Sequence, residues 1–233
     1  ILETKWSDTF FRLFYNCSNI YYHKLPINNA FRERAWSVET MQRHTIFTAA
    51  SDYPLKGLHM LLQALPYVKK KYSDVKLIIP GYQMTRGNSF IKSLRTKAYR
   101  RYLYKLITDY GIWDNVDFIG VQTSAQMAEK MLGANVFVCA SAIENHSSTL
   151  REAMMIGTPC ISTAVGGIPE YLRNNENGLI YGFDDPIALA KNILAVFEDD
   201  ELAIGLGTAA HRDMTDYYNK AFNNLNEIYK QAR

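Results

Sequence analysis

Two glutamates, Glu144 and Glu152, stand eight positions apart across the junction of a polar loop and a helix expected to open at Ser147 or Ser148. An ionised carboxylate is acceptor-only and can hold several hydroxyl groups at once. The unpaired N–H groups of Ser147, Ser148 and Thr149 at such a helix start suit a diphosphate, and their hydroxyls add further donors. Asn145 and His146 share the loop. Plainer roles stay open for all of them. Thr149-Leu-Arg-Glu152 is also a capping-box pattern, in which Glu152 reaches back to the Thr149 amide. Glu144 reads equally as a loop carboxylate, Asn145 or Ser147 as a cap, and His146 as a pocket or loop histidine.

The flanks supply the elements these residues need. Asn135–Cys139 is an apolar run that reads as a buried strand. Gly157 and Pro159 stop the helix, and a second apolar run, Cys160–Ala164, follows. Gly166 and Gly167 then give backbone room for close approach to a sugar or phosphate, or simply make a turn. A second stretch, Thr48–Leu58, reads as a strand end, a proline turn and a helix start, with Lys56 at the mouth beside Gly57.

From Thr45 the chain alternates strands, at 45–50, 75–80, 116–120, 135–139, 159–163 and 178–181, with helices at 57–72, about 90–110, 124–132, 147–156 and 167–173. Three more helices are predicted at 186–197, 199–213 and 217–231. Such alternation predicts an α/β fold: a Rossmann-like, doubly wound parallel sheet of about six strands with helices on both faces. Ligands of such sheets bind beyond the carboxyl ends of the strands. Gly81, Gly120, Ser141 and Gly166 all fall just past strand ends.

Composition narrows the function classes. A hydrophobic fraction of 48% supports a full core, and a net charge of +3 gives no nucleic-acid footprint. No apolar run approaches the ~18 residues of a membrane span, and no signal peptide is visible. Cys17, Cys139 and Cys160 are odd in number and fit neither a disulfide framework nor metal-ligand spacing, which suits a reducing cytosol. No dinucleotide fingerprint or Walker A sequence occurs, and no G-x-S-x-G serine motif.

Glu144 to Glu152, with the continuation Glu152-Ala-Met-Met-Ile-Gly-Thr-Pro159 and Gly166-Gly167, resembles the E-x7-E motif and flanks of the retaining family 4 (group 1) glycosyltransferases. The resemblance is strongest over 45–58 and 116–182. It implies one half of a GT-B architecture, the donor-binding C-terminal domain. It also implies transfer of a sugar from a UDP- or GDP-linked donor to an acceptor hydroxyl with retention, in cell-surface polysaccharide or glycolipid synthesis. By the same resemblance Glu144 is the catalytic carboxylate, and Glu152 holds the nucleotide ribose. Lys56, Ser51, Ser147, Ser148 and Thr149 bind the diphosphate. Asn145, His146, Gly166 and Gly167 line the sugar pocket, and Gly81, Tyr82 and Val121 form the floor under the base. Ser51 stands where the family usually carries an arginine, so another cation is needed there or activity falls. The chain lacks the D-x-D pair of the metal-dependent glycosyltransferase class, so neither metal nor cofactor is expected.

The resemblance further divides the chain. Residues 1–40 would be an interdomain segment, 41–216 the nucleotide-sugar domain, and 217–233 a helix packing back on an N-terminal domain. Partners would be a nucleotide sugar, an acceptor sugar or lipid-linked saccharide, and that N-terminal domain, with no nucleic acid. In the first segment Thr4–Tyr15 reads as an amphipathic helix and Ile20–His23 as a short strand. Trp6, Phe10, Phe11 and Phe14 either face another domain or pack on the present core. Between Val75 and Thr108 lie eight Lys or Arg and no Asp or Glu, among them Arg95, Lys97, Arg100, Arg101 and Lys105. This basic face is either solvated or in contact with anionic lipid at the inner face of a membrane. Two other readings share the same architecture: a non-catalytic nucleotide-sugar-binding relative and a sugar-nucleotide epimerase.

Overall fold

The computed structural model describes residues 2–17, 20–23, 25–81, 83–84, 86, 98–222 and 228. Six strands, β1 Thr45–Thr48, β2 Lys76–Pro80, β3 Val116–Gly120, β4 Val136–Cys139, β5 Cys160–Thr163 and β6 Leu179–Tyr181, form one sheet. The order is β3-β2-β1-β4-β5-β6, and every pairing is parallel. β1, β4 and β5 are buried at every position, as strands covered on both faces must be. The direction of winding reverses between β1 and β4, which places the expected ligand crevice above their carboxyl ends.

Helices cover both faces. α1 is Lys5–Tyr15, α2 Leu58–Lys69, α3 Ala98–Asp109, α4 Ser124–Gly133, α5 Ser148–Ile156, α6 Pro186–Glu198 and α7 Asp200–Phe222. One core joins α2, α3 and α6 to the sheet through Leu58, Leu62, Leu103, Ile107, Leu189 and Ile193. The other joins α4 and α5 through Met131, Leu150 and Met154, and takes in Ile27 and Phe31 from the first forty residues. Each such side chain contributes about 1.5–3 kcal/mol on burial. α7 crosses from one core to the other, with Ala203 and Leu206 in the first and Ala210 and Met214 in the second.

The strands lie where the apolar runs place them. Several other expectations change. Residues 199–213 and 217–231 were expected as two helices, but α7 runs unbroken to Phe222 because no Gly or Pro stops it at 214–216. The expected helix 167–173 is only a 3-10 turn, Ile168–Glu170, with Pro169 lacking the N–H that would extend it. Ile20–His23 makes no strand, since the pairing of Tyr22 with Leu2 is an isolated bridge and not a ladder. The start of the helix expected at 90–110, with Arg95 and Lys97, lies outside the described residues. α1 forms with Thr4 as its N-cap, accepting from the Ser7 amide. Its aromatics do not pack on the present core: Trp6, Phe10, Phe11 and Phe14 stay exposed. No helix among the described residues is long and apolar enough to cross a membrane.

Candidate functional site

Lys56 and Glu144, 88 residues apart in the chain, meet above the β1–β4 crevice, with Lys56 Nζ 2.5 Å from Glu144 Oε1. Backbone packing brings them there. Gly57 has φ +69°, and a Cβ on it would lie 1.8 Å from the Ala140 carbonyl oxygen. The Ala142 amide donates to the Leu55 carbonyl at 2.8 Å. The turn before α2 is thus clamped against the chain leaving β4, and only glycine permits the approach. Ser141 Oγ donates to the same Glu144 oxygen at 2.7 Å. Ser141 was visible as a strand-end residue, but its hold on Glu144 was not foreseen; its place three residues before the carboxylate was the available signal.

α5 opens onto the same crevice. Ser147 is its N-cap, with Oγ accepting from the Leu150 amide at 3.4 Å. Ser148 and Thr149 are therefore the first two helical residues, and among the described residues their amides have no hydrogen-bond partner. The capping-box alternative for Glu152 does not hold, because Thr149 is not the cap. Glu152 lies one turn into α5, half-buried, and burial raises its carboxyl above the ordinary value, an effect the Arg151 charge only partly offsets. A half-buried carboxylate perturbed in this way is a candidate for a ligand-binding group.

A small cavity of about 20 Å³ between Lys56, Glu144, Ser141 and Thr149 reaches down to Cys139. That is room for about one water, so any larger ligand would need the Lys56–Glu144 pair to open. Burial pushes the Cys139 thiol up, which makes it a packing group and not a nucleophile.

The remaining candidates are placed less directly. Gly166 and Gly167 are fitted to the loop itself. A Cβ on Gly166 would lie 1.5 Å from the Glu144 carbonyl oxygen, and one on Gly167 would lie 2.3 Å from that of Asn145. Asn145 is exposed and accepts from Thr4 Oγ1 at 2.7 Å. His146 is buried, its Nδ1 3.3 Å from Glu3 and its ring against Tyr171 and Tyr217. Ser51 is half-buried beside Gly81, where a Cβ would touch its own at 3.8 Å. The next residue, Asp52, accepts from Arg100 Nε at 2.5 Å, which brings a cation beside the serine, already engaged by Asp52. Arg100 and Lys105, the latter 2.5 Å from Asp109, are thus partly neutralised members of the basic face. Gly81 has φ +105°, and its amide joins the ends of β2 and β3 by donating to Gly120 at 2.7 Å. Val121 is 87% exposed. Tyr82 lies outside the described residues.

Residues 31–213 match the model of the family described as glycosyl transferases group 1. The chain is 32% identical over 159 residues to the phosphatidyl-myo-inositol mannosyltransferase of Mycobacterium leprae, covering 67% of this chain and 38% of that protein. It is 27% identical over 186 residues to spore coat protein SA of Bacillus subtilis, covering 77% and 46%. The chain thus spans less than half the length of these relatives. Among solved structures, TarM of S. aureus, in complex with Fondaparinux, alpha-GlcNAc-glycerol and UDP, aligns with a TM-score of 0.81. That alignment is 18% identical and covers 98% of this chain and 43% of TarM. Anabaena Alr3699/HepE in complex with UDP-glucose aligns with a TM-score of 0.74 at 18% identity, covering 91% and 57%. At these identities the solved structures show that the fold is shared.

Proposed function

The chain belongs to the glycosyl transferases group 1 family, and from that premise we propose that it is the donor-binding half of a retaining glycosyltransferase. It takes a UDP- or GDP-linked sugar and passes the sugar to an acceptor hydroxyl. The observation that carries the reading is the meeting of Lys56, Glu144 and the open N-terminus of α5 at the point where the sheet reverses. Lys56 and the amides of Ser148 and Thr149 receive the diphosphate, and Glu152 holds the ribose. Glu144 faces the sugar and the positive charge that develops at its anomeric carbon. In the reaction the bond from the anomeric carbon to the β-phosphate oxygen breaks. The acceptor oxygen bonds on the same face, its proton passes to the departing diphosphate, and the nucleoside diphosphate leaves. The acceptor wall comes from an N-terminal domain. The relatives with phosphatidylinositol in their names favour a lipid-linked acceptor, and we place it, or a surface saccharide, at the cytoplasmic side of a membrane as part of the same proposal.

The positive field at the crevice comes from a lysine and a helix end, so nucleotide binding needs no metal. Calorimetric titration with UDP and with GDP in the presence of chelator is expected to show binding of at least one. Strict dependence on magnesium or manganese would overturn the metal-free reading. Product analysis separates transfer from epimerisation or binding alone.

A further inference from the structure

Arg151 heads the large, fully buried side chains among the described residues, at 2% exposure. It does not line the crevice cavity, and packing does not account for it, since an apolar residue of similar size fills such a space at lower cost. Its Nη1 donates to the Leu25 carbonyl at 3.0 Å, and its Nη2 lies 3.9 Å from Glu3 Oε1. Its guanidinium carbon stands 5.5 Å from the centre of the Tyr217 ring, and its Nε has no hydrogen-bond partner. From Glu3 onward four consecutive residues touch the glutamate corner. Glu3 reaches His146 Nδ1 at 3.3 Å, and Thr4 Oγ1 donates to Asn145 Oδ1 at 2.7 Å. The amides of Lys5 and Trp6 donate to Glu170 at 3.1 and 3.0 Å. Thr4 also fills the space beside Gly167, where a Cβ would come within 2.5 Å of its methyl group.

We infer that Glu3–Trp6 forms a strap that orients Asn145 toward the sugar of the donor, and that Arg151 is the positioning residue that holds the strap down. With Oδ1 engaged by Thr4, Asn145 keeps its two Nδ2 donors for the ligand. The strap therefore acts on sugar recognition and leaves the nucleotide alone. This rests on the nucleotide-sugar reading above, so the test has one readout that does not.

The variants are Arg151→Met, Arg151→Lys, Thr4→Val and Thr4→Ser in the 233-residue chain. Hydrogen exchange should quicken at residues 3–7 and 144–147 in Arg151→Met and less in Arg151→Lys; unchanged exchange overturns the proposal whatever the ligand. Calorimetry compares UDP-glucose with UDP and GDP-mannose with GDP. The sugar-bearing form should lose about threefold to tenfold in affinity relative to its parent diphosphate in Arg151→Met and Thr4→Val. Thr4→Ser, which keeps the hydroxyl, should restore it. Quickened exchange with an unchanged ratio would show that the strap only stabilises the fold, and the proposal fails. Wild-type chain that binds none of the four nucleotides removes the nucleotide-sugar reading, and the sugar-orienting role falls with it; the exchange result then bears on Arg151 alone.

Discussion

The two edges of the sheet are built from the same elements and end in opposite states. At the amino edge the helix ends present carbonyls, and the chain satisfies them itself. Trp36 donates its amide to Ile156 and its ring N–H to Ala134, at 2.8 and 2.7 Å. The Gln42 amide donates to Gly133, and His211 Nδ1 lies 2.5 Å from the Met155 carbonyl. This edge also holds a cavity of about 290 Å³, walled by Trp36, Ile156, Gly157, Gly207 and His211. At the carboxyl edge the cavity is far smaller, about 20 Å³, yet the first amides of α5 stay unused and a lysine and a glutamate converge. Volume and chemistry therefore separate in this molecule. A large void beside spent hydrogen-bonding groups offers a ligand little beyond contact, whereas unused amide donors beside a lysine–glutamate pair offer it specific partners.

The comparison breaks most visibly at its glycines. Gly57→Ala and Gly207→Ala each drive a new Cβ onto a backbone carbonyl, at 1.8 Å from Ala140 and 2.1 Å from Gly157. Each should lower stability by roughly 3 kcal/mol. Only Gly57→Ala should also abolish nucleotide binding in the protein that remains folded, since only it displaces Lys56 from Glu144. Thermal melting and calorimetry on both variants check this; equal loss of binding at the two edges would erase the distinction.

A smaller effect is expected at Glu152. Burial raises its carboxyl above the ordinary 4.5, so the folded chain bears the ionised form less readily than the unfolded chain does. Its cost to stability is present at neutral pH and fades as pH falls through that range. Glu152→Gln should therefore raise the melting temperature at pH 7 and leave it unchanged near pH 4. The same variant should weaken nucleoside diphosphate binding by about 1–3 kcal/mol. Weaker binding without the stability gain would mean that the amide has disturbed α5.

Smallest is the change expected from Glu144→Gln. Glu144 occupies the lysine that, on the proposed function, the diphosphate needs. Removing the competing charge should tighten UDP or GDP binding by about 0.5–1 kcal/mol, a modest figure because Lys56 is 41% exposed. Titration of the variant settles the direction. Weaker binding would show that the carboxylate helps to place the lysine and does not compete for the phosphate.

The sheet was legible because each strand is a short apolar run bounded by turn residues, and the parallel order follows from the helices between them. Lys56 and Glu144 could be joined beforehand only through resemblance, since nothing local in the sequence links residues 88 apart. The cap of α5 was ambiguous because Ser147, Ser148 and Thr149 all suit the position, and only backbone geometry chooses Ser147. Glycines 166 and 167 read either as room for a ligand or as a turn, and sequence did not show that the loop at 144–145 and Thr4 press against them. The docking of residues 3–6 on Asn145, His146 and Glu170 left no trace in periodicity, because each contact spans more than 140 positions.

The clamp at Gly57 and Ala140 and the fit of Gly166 to Glu144 also separate two kinds of inheritance. Where the charges stand is written in the main chain, through carbonyl and glycine contacts. Around them the side chains of Tyr53, Leu55, Ile143 and Val121 are exposed, and of these residues only the Tyr53 and Leu55 carbonyls enter that framework. On the function proposed above, side-chain substitutions at this rim would exchange one base or sugar for another without re-siting lysine or glutamate. On that reading, a lineage descended from this chain would drift in what it accepts well before it lost the means to hold a phosphate.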